Sequence, residues 1–157
     1  MGDLVKLKEA QALRETLRRA GETLVFTNGH FDLLHVGHLE YLEKARALGD
    51  ALIVGLNGDA STRRLKGEGR PLVPAGQRAR LLAALEPVSA VIIFETNTAD
   101  ELLLALKPEI YVKGGDYEDK PLPERSAVEG YGGRVELVEL FAGHSTTRLI
   151  DRIRKLS

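Results

Sequence analysis

The sequence predicts an α/β fold, in which one doubly wound parallel sheet of five strands is covered by helices on both faces. Two observations predict it. Short apolar segments alternate along the chain with segments of helical periodicity, and the strand segments are apolar without a regular polar alternate residue. Continuously apolar strands are typical of parallel sheets that are buried on both sides. Right-handed crossovers then make the sheet doubly wound.

The first half of the chain is predicted to form two strands and four helices. Apolar residues at helical spacing predict the opening helix, and Gly21 ends it. The segment TLVFT is short, β-branched and apolar, as expected of a buried strand. Gly49 closes the helix that follows this strand. In chain order, these elements are residues 4–20, 23–27, 36–48, 51–56, 59–65 and 76–85.

The second half is predicted to add three strands and two helices. Thr98 stands at the start of one helix and Ser145 opens the last one. A loop rich in glycine and proline separates the fourth strand from the fifth. The elements are residues 90–94, 99–106, 109–112, 134–138 and 145–155. We therefore expect a single domain, with an N-terminal helix in residues 1–21 and an α/β core in residues 22–157.

The composition limits the classes of function. Of the 157 residues, 43% are hydrophobic and 29% are charged, which excludes a disordered or fibrous chain. Cysteine is absent, so disulfides and thiolate chemistry are excluded. Because 22 Lys and Arg balance 23 Asp and Glu, we expect no nucleic-acid partner. No apolar run approaches about 20 residues and no signal peptide is evident, so we expect a cytoplasmic protein without a membrane partner.

The segment after the first strand, Asn28-Gly-His-Phe-Asp-Leu-Leu-His-Val-Gly-His38, carries the main functional signal. His35 and His38 are three residues apart at the start of a helix and so share one face. Gly37 between them leaves room for a bulky group to approach the backbone. The free N–H groups of a helix N-terminus favour anions. Two imidazoles and these amides could together hold a phosphate that gains charge during a reaction.

The segment Gly29-His-Phe-Asp-x-x-His-x-Gly-His38 resembles the signature of the HxGH nucleotidyltransferase superfamily, in its cytidylyltransferase-like branch. The resemblance implies a Rossmann-like fold and an enzyme that joins a nucleoside triphosphate to a phosphorylated small molecule, with release of pyrophosphate. It implies catalytic roles for His35 and His38 at the phosphates, and a Mg²⁺ ion that bridges the phosphates. In this segment the implied nucleotide-binding residues are Asn28, Gly29, His30, Phe31 and Gly37, and the implied substrate-binding residue is Asp32.

The loop after the second strand runs from Asn57 through Arg-Arg-Leu-Lys-Gly67. It resembles the family segment whose mobile lysine reaches the triphosphate, and Lys66 is the catalytic candidate there. An ammonium group on a flexible stem suits a moving phosphate. Asn57 is a candidate substrate-binding residue and Arg78 a candidate nucleotide-binding residue. A solvated helix face is the alternative interpretation of these cations.

Two further loops carry residues suited to phosphates and hydroxyls. Lys113-Gly-Gly-Asp-Tyr117 follows the fourth strand, and Lys113, Gly114 and Asp116 are candidate substrate-binding residues. After the fifth strand, Gly143-His-Ser-Thr-Thr147 places a cap and hydroxyls at another helix N-terminus. It resembles the second phosphate motif of the superfamily. Its candidate nucleotide-binding residues are Gly143, Ser145, Thr146 and Thr147.

The Leu-Lys-Gly and Lys-Gly-Gly-Asp-Tyr segments are most similar to the adenylyltransferases of ADP-heptose synthesis. The arginine that cytidylyltransferases carry before Ser-Thr-Thr is missing, because Leu140 to Gly143 occupy those positions. The resemblance therefore implies ATP and a sugar 1-phosphate as partners, and a homodimer or larger homo-oligomer. His30 and His144 stand where this group usually has cysteine.

Several alternatives remain open on the sequence. One is a CTP-dependent enzyme acting on glycerol 3-phosphate or a similar alcohol phosphate, and another is adenylyl transfer to FMN. A third, from a different class, is a nucleotide-binding regulatory domain without turnover. A zinc site built from the four histidines is also chemically possible, although no acidic residue except Asp32 stands at a matching spacing.

Overall fold

A computed structural model of the chain describes residues 1–115, 120–140 and 145–157. Its centre is one sheet of six strands in the order β1-β4-β3-β2-β5-β6, and every neighbouring pair is parallel. The strands are β1 (Asp3–Leu4), β2 (Leu24–Gly29), β3 (Ala51–Asn57), β4 (Ala90–Phe94), β5 (Ile110–Gly114) and β6 (Arg134–Val138). The parallel α/β prediction is confirmed, with six strands rather than five.

Seven helices join the strands in the described ranges. They are α1 (Leu7–Arg19), α2 (Val36–Arg46), α3 (Asp59–Lys66), α4 (Ala75–Ala83), α5 (Asp100–Leu106), α6 (Arg125–Gly130) and α7 (Thr146–Arg154). Helix α6 was not predicted, because it is only six residues long and lies in the Gly- and Pro-rich loop. The prediction that the opening helix begins at Leu4 was wrong, because Asp3 and Leu4 form β1 against β4. A strand of two residues leaves no periodic signal in the sequence.

The central strands β2 and β3 are covered on both faces, and successive residues alternate between two apolar cores. In β2, Leu24 and Phe26 pack into the core beneath α1 and α5, while Val25 packs into the core beneath α2 and α4. Each of these three side chains has no exposed surface. No helix in the described parts of the chain is long and apolar enough to cross a membrane.

The strand order determines where a ligand can bind. From β2 the chain moves outward to β3 and β4, and then returns to the other side of β2 to form β5 and β6. The crossovers after β2 and β5 therefore leave in opposite directions, which opens a crevice at the carboxyl ends of these two neighbouring strands. Strand β2 ends at Gly29 and β5 ends at Gly114. These two glycines belong to the sequence segments in which the candidate site residues were found.

Candidate active site

A pocket of about 410 Å³ opens at this switch point, between the carboxyl ends of β2 and β5 and the N-termini of α2 and α7. That volume lies within the usual range for small-molecule sites. The described residues that line it are Asn28, Gly29, His30, Phe31, Asp32, His35, Gly37, His38, Tyr41, Lys66, Arg70, Lys113, Gly114, Leu140, Ser145, Thr146 and Thr147. The pocket thus brings together residues from four separate loops.

The two histidines of the HxGH segment form the N-terminal cap of α2. His35 is the N-cap residue, and its Nδ1 accepts a hydrogen bond from the backbone N–H of Gly37 at 3.1 Å. In return, Nδ1 of His38 accepts from the backbone N–H of His35 at 3.3 Å. The two rings stack, with 3.9 Å between their centroids. Both side chains are therefore fixed by backbone groups before any ligand binds.

This cap determines which ring nitrogen carries the proton. An Nδ1 atom that accepts from a backbone amide has its lone pair in use, so the neutral ring carries its proton on Nε2. Burial, and then the charge of His35, lower the pKa of His38 to about 4. His38 is accordingly neutral at pH 7, and its Nε2–H remains available as a donor to a phosphate oxygen.

His30 differs from this pair in its hydrogen bonding. Its Nδ1 lies 2.9 Å from the hydroxyl of Thr62, which is itself within 3.4 Å of the Asn57 carbonyl. Burial, followed by the positive charges of two lysines and two arginines, lowers the pKa of His30 to about 4. The residue is therefore a neutral polar group of the pocket wall.

The positive charge of the pocket comes from three longer side chains. Lys66 is the last residue of α3 and is exposed. Arg70 lies on the segment that follows α3 and pairs with Asp32. Lys113 is half-buried at the end of β5. Its pKa is lowered, mainly by burial; the charge of Glu124 opposes this effect and the charge of Lys66 adds to it. These cations line the same pocket as His35 and His38, and a concentration of positive charge favours an anionic ligand.

Helix α7 presents a further N-terminus to the pocket. The hydroxyl of Ser145 caps it by accepting from the backbone N–H of Arg148 at 3.0 Å. The hydroxyl of Thr146 donates to the carbonyl of Leu33 at 3.3 Å, which ties α7 to the loop after β2. Thr147 also lines the pocket. The helix end can therefore offer amides and hydroxyls to an anion.

Arg78 does not line the pocket, although a contact with the nucleotide was expected. Its side chain has no exposed surface. Its guanidinium donates to the carbonyls of Val73, His30 and Asn57 at 2.6–2.8 Å and to a carboxylate oxygen of Asp59 at 2.8 Å. Arg78 thus holds together the loops that surround the pocket, by hydrogen bonds made outside the pocket itself. Sequence reasoning recognised the cation but could not show that its donors are satisfied internally.

Asn57 is a second correction. Only 3% of its surface is exposed, and its amide donates to the Ser61 hydroxyl at 3.2 Å. It lies at the end of β3 and is not among the residues that line the pocket. The structure therefore does not place Asn57 in the pocket that was expected to include it. Two other candidates, Asp116 and Gly143, lie outside the described residues, as does His144.

Three pocket residues were not among the candidates. Tyr41 lies one helical turn after His38, and its hydroxyl donates to the Val112 carbonyl at 3.1 Å. Arg70 and Leu140 are the other two. Tyr41 and Leu140 could have been found only from the fold, because an apolar or aromatic residue near a loop usually belongs to the core. Arg70 could be recognised as a cation in the sequence, but nothing in the sequence indicated that its side chain lies in the pocket.

Within residues 1–115, 120–140 and 145–157, no three His, Asp or Glu side chains are grouped so that they could hold a metal ion. The described part of the pocket contains one carboxylate, that of Asp32, whose side chain is only 1% exposed. Its oxygens already accept from Arg70, Leu72 and Val73. This residue therefore does not fit a direct ligand for Mg²⁺.

The pocket combines a histidine pair that caps one helix N-terminus, three cationic side chains and a second helix N-terminus, all at the switch point of a parallel sheet. This combination is typical of a nucleotidyltransferase of the HxGH type. The family described as cytidylyltransferase-like matches residues 26–151. The chain therefore belongs to the cytidylyltransferase-like family.

Similar proteins agree with this assignment. The bifunctional protein HldE of Syntrophotalea carbinolica is 54% identical over 151 residues, which cover 94% of this chain and 31% of the relative. The bifunctional protein HldE of Pelobacter propionicus is 56% identical over 141 residues, which cover 90% of this chain and 29% of the relative. The chain thus spans about a third of the length of these curated relatives.

Solved structures show the same fold. The lipopolysaccharide core biosynthesis protein from Thermoplasma volcanium is 30% identical, with a TM-score of 0.62 over 77% of this chain and 98% of that chain. Pantoate-beta-alanine ligase from Francisella tularensis also has a TM-score of 0.62, over 88% of this chain and 67% of that chain. Because the ligase is only 14% identical, its likeness concerns the fold alone.

Proposed function

We propose that this chain transfers AMP from ATP to a sugar 1-phosphate, and so forms an ADP-sugar and pyrophosphate. The observation that carries the proposal is the histidine pair, whose two Nδ1 atoms cap α2 and fix both rings at the pocket. A neutral His38 held in this way carries its proton on Nε2, and a fixed donor suits phosphate oxygens whose charge increases in the transition state. The likeness to a lipopolysaccharide core biosynthesis protein supports a sugar-related acceptor.

In the proposed reaction, an oxygen of the sugar 1-phosphate attacks the α-phosphorus of ATP in line with the bond to the β-phosphate. The new P–O bond forms as the bond between the α-phosphorus and the bridging oxygen breaks, and pyrophosphate leaves with the electron pair. The attacking phosphate oxygen is already ionised, so the step needs no general base. Positioning and charge stabilisation supply the rate enhancement.

The described residues divide this work between them. His38 and His35 donate to the α-phosphate region, and Lys66 and the N-terminus of α7 hold the outer phosphates. Lys113 and Gly114, on the β5 side of the pocket, face the acceptor phosphate. A Mg²⁺ ion that accompanies ATP would be held by phosphate oxygens and water rather than by Asp32, whose oxygens are already hydrogen-bonded.

The test is pyrophosphate release with Mg²⁺ and heptose 1-phosphate, with ATP and CTP in parallel. Release with ATP alone supports the proposal, whereas release with CTP alone would establish the cytidylyltransferase alternative. Release with neither nucleotide, for this and for other phosphorylated acceptors, would favour a binding domain without turnover.

A pair of His38 variants tests the role of the Nε2–H group. His38→Asn keeps a side-chain acceptor near the position of Nδ1, and so can keep the cap, but it removes the donor at Nε2. We expect kcat to fall about 100- to 1000-fold, the usual loss for one donor at a developing charge. His38→Gln places an amide N–H near the position of Nε2, and it should recover part of the activity. Equal turnover by the parent and His38→Asn would refute the assignment.

A further inference from the structure

Arg70 and Asp32 form an ion pair on the pocket wall that the proposed reaction does not yet use. The Nε–H of Arg70 donates to Oδ2 of Asp32 at 2.8 Å. The side chain of Asp32 is 1% exposed, and that of Arg70 is 22% exposed. Both residues line the pocket. The carboxylate is therefore enclosed, while part of the guanidinium remains open to the pocket.

The other hydrogen bonds of Asp32 are directed at the same segment. Its oxygens accept from the backbone N–H of Leu72 at 2.9 Å, and Oδ1 also accepts from the N–H of Val73 at 2.9 Å. Burial raises the pKa of Asp32, but these bonds and the one from Arg70 lower it more, so the group stays ionised at neutral pH. Asp32 was expected to bind substrate, but its oxygens hold residues 70–73 instead.

The segment between Lys66 and Arg70 depends on a backbone that only glycine adopts easily. Gly67 has φ +100° and Gly69 has φ +83°, and no atom lies within 4 Å of a Cβ built at either position. The need for glycine there comes from backbone conformation and not from packing. The segment that carries both cations is thus attached to α3 at one end and to Asp32 at the other.

The guanidinium of Arg70 keeps donors for a ligand. Among the described residues only its Nε donates a hydrogen bond, to Asp32. An arginine held through Nε still has the terminal N–H groups that bind phosphate oxygens, often in pairs. Because Asp32 fixes its orientation beforehand, less side-chain entropy is lost when a phosphate binds.

We propose that Arg70 is a second cation for the outer phosphates of the nucleotide, beside Lys66, and that Asp32 is the positioning residue that orients it. The inference rests on the proposed nucleoside triphosphate chemistry. It does not require that AMP transfer takes place, because it concerns the binding of a polyphosphate. Its test can therefore be separated from the test of turnover.

The experiment measures the affinity for inorganic tripolyphosphate by isothermal titration calorimetry. We compare the parent with Arg70→Ala, Asp32→Asn and the double variant, and include Arg63→Ala as the control. Arg63 is an exposed arginine of α3 outside the pocket. Arg70→Ala should weaken binding about tenfold, as expected for the loss of a charge-assisted hydrogen bond. Arg63→Ala should change it less than about twofold.

The double variant distinguishes positioning from a merely structural role. If Asp32 acts through Arg70, Asp32→Asn weakens binding about tenfold in the parent and less than about threefold in the Arg70→Ala background. Equal factors in both backgrounds would overturn the positioning role of Asp32. An Arg70→Ala variant that binds like Arg63→Ala would overturn the role of Arg70.

Folding does not confound the result. Each variant is first checked by thermal unfolding, so that a loss of affinity is not caused by a loss of structure.

A further variant, Arg70→Lys, tests the phosphate contact without changing Asp32. A lysine keeps the charge but cannot both replace the Nε contact and present a guanidinium fork, so we expect its affinity to lie between the parent and Arg70→Ala. Affinity equal to the parent would mean that charge alone matters, and would overturn the requirement for an oriented guanidinium.

Discussion

Replacing Arg78 by methionine should destabilise the protein strongly even when no nucleotide is present. The side chain is fully buried and joins three segments of the chain to α4. Its guanidinium donates to the carbonyls of Val73, His30 and Asn57 and to the carboxylate of Asp59. Methionine fills much of the same volume without any donor. The substitution therefore removes the hydrogen bonds while keeping most of the packing.

The size of the effect can be worked out from these contacts. A buried acceptor that loses its partner costs about 1–3 kcal/mol. Two of the carbonyls are only partly buried and can recover water, and the carboxylate of Asp59 is 45% exposed and can be rehydrated. The Asn57 carbonyl retains a contact with Thr62 at 3.4 Å. We therefore expect a total loss of about 3–5 kcal/mol, toward the lower end of the range of about 1–3 kcal/mol for each of the three carbonyls.

The assay is urea unfolding of the ligand-free protein, followed by circular dichroism. Arg80→Met is the matched control, because Arg80 lies on the same helix and is exposed. It should change the free energy of unfolding by less than about 0.5 kcal/mol. If Arg78→Met were as stable as Arg80→Met and raised only the KM for ATP, Arg78 would be a nucleotide ligand and the reasoning would be wrong.

Two further predictions concern pH and space in the pocket. The pKa of His38 is lowered to about 4, so the unfolded state binds more protons below pH 6.5. The free energy of unfolding should therefore fall between pH 6.5 and about 4, and less so in His38→Gln; no change over that range would contradict it. In Gly114→Ala, the new Cβ would lie 2.6 Å from the side chain of Leu140 and 3.1 Å from the ring of the buried Tyr41. Because Leu140 is 58% exposed it can move aside, so we expect Gly114→Ala to raise KM with little loss of thermal stability. Gly130→Ala is the control, because no atom lies within 4 Å of its new Cβ, and it should not raise KM. An unchanged KM in Gly114→Ala would refute the crowding.

The position of the site could be predicted from the sequence, for a physical reason. In a parallel sheet the carboxyl ends of all strands lie at one edge, so residues that follow different strands must come together there. Lys66, Lys113 and Thr146 are far apart in sequence, and the structure places all three in one pocket with His38. The prediction needed only the order of the elements and not their exact bounds.

The direction of each polar side chain could not be predicted. Arg78 and Arg70 are both cations near the same loops, yet one is enclosed behind the pocket and the other lies on its wall. Asp32 and Asn57 likewise resembled substrate ligands, but both oxygens of Asp32 and the side-chain amide N–H of Asn57 are hydrogen-bonded within the protein. Whether a polar group is satisfied internally depends on contacts between distant segments, which local sequence patterns do not record.

The cap of α2 explains why histidine suits both positions of the HxGH segment. Each side chain accepts from a backbone amide near the helix end, and the proposed reaction asks each ring to donate from its other nitrogen. A neutral imidazole does both, because its two nitrogens lie at different edges of one rigid ring. A lysine has no acceptor, and an asparagine is too short to reach from the cap to the ligand. Since His38 is neutral at pH 7, the attraction for anions falls to the longer cations, and the histidines supply fixed directions.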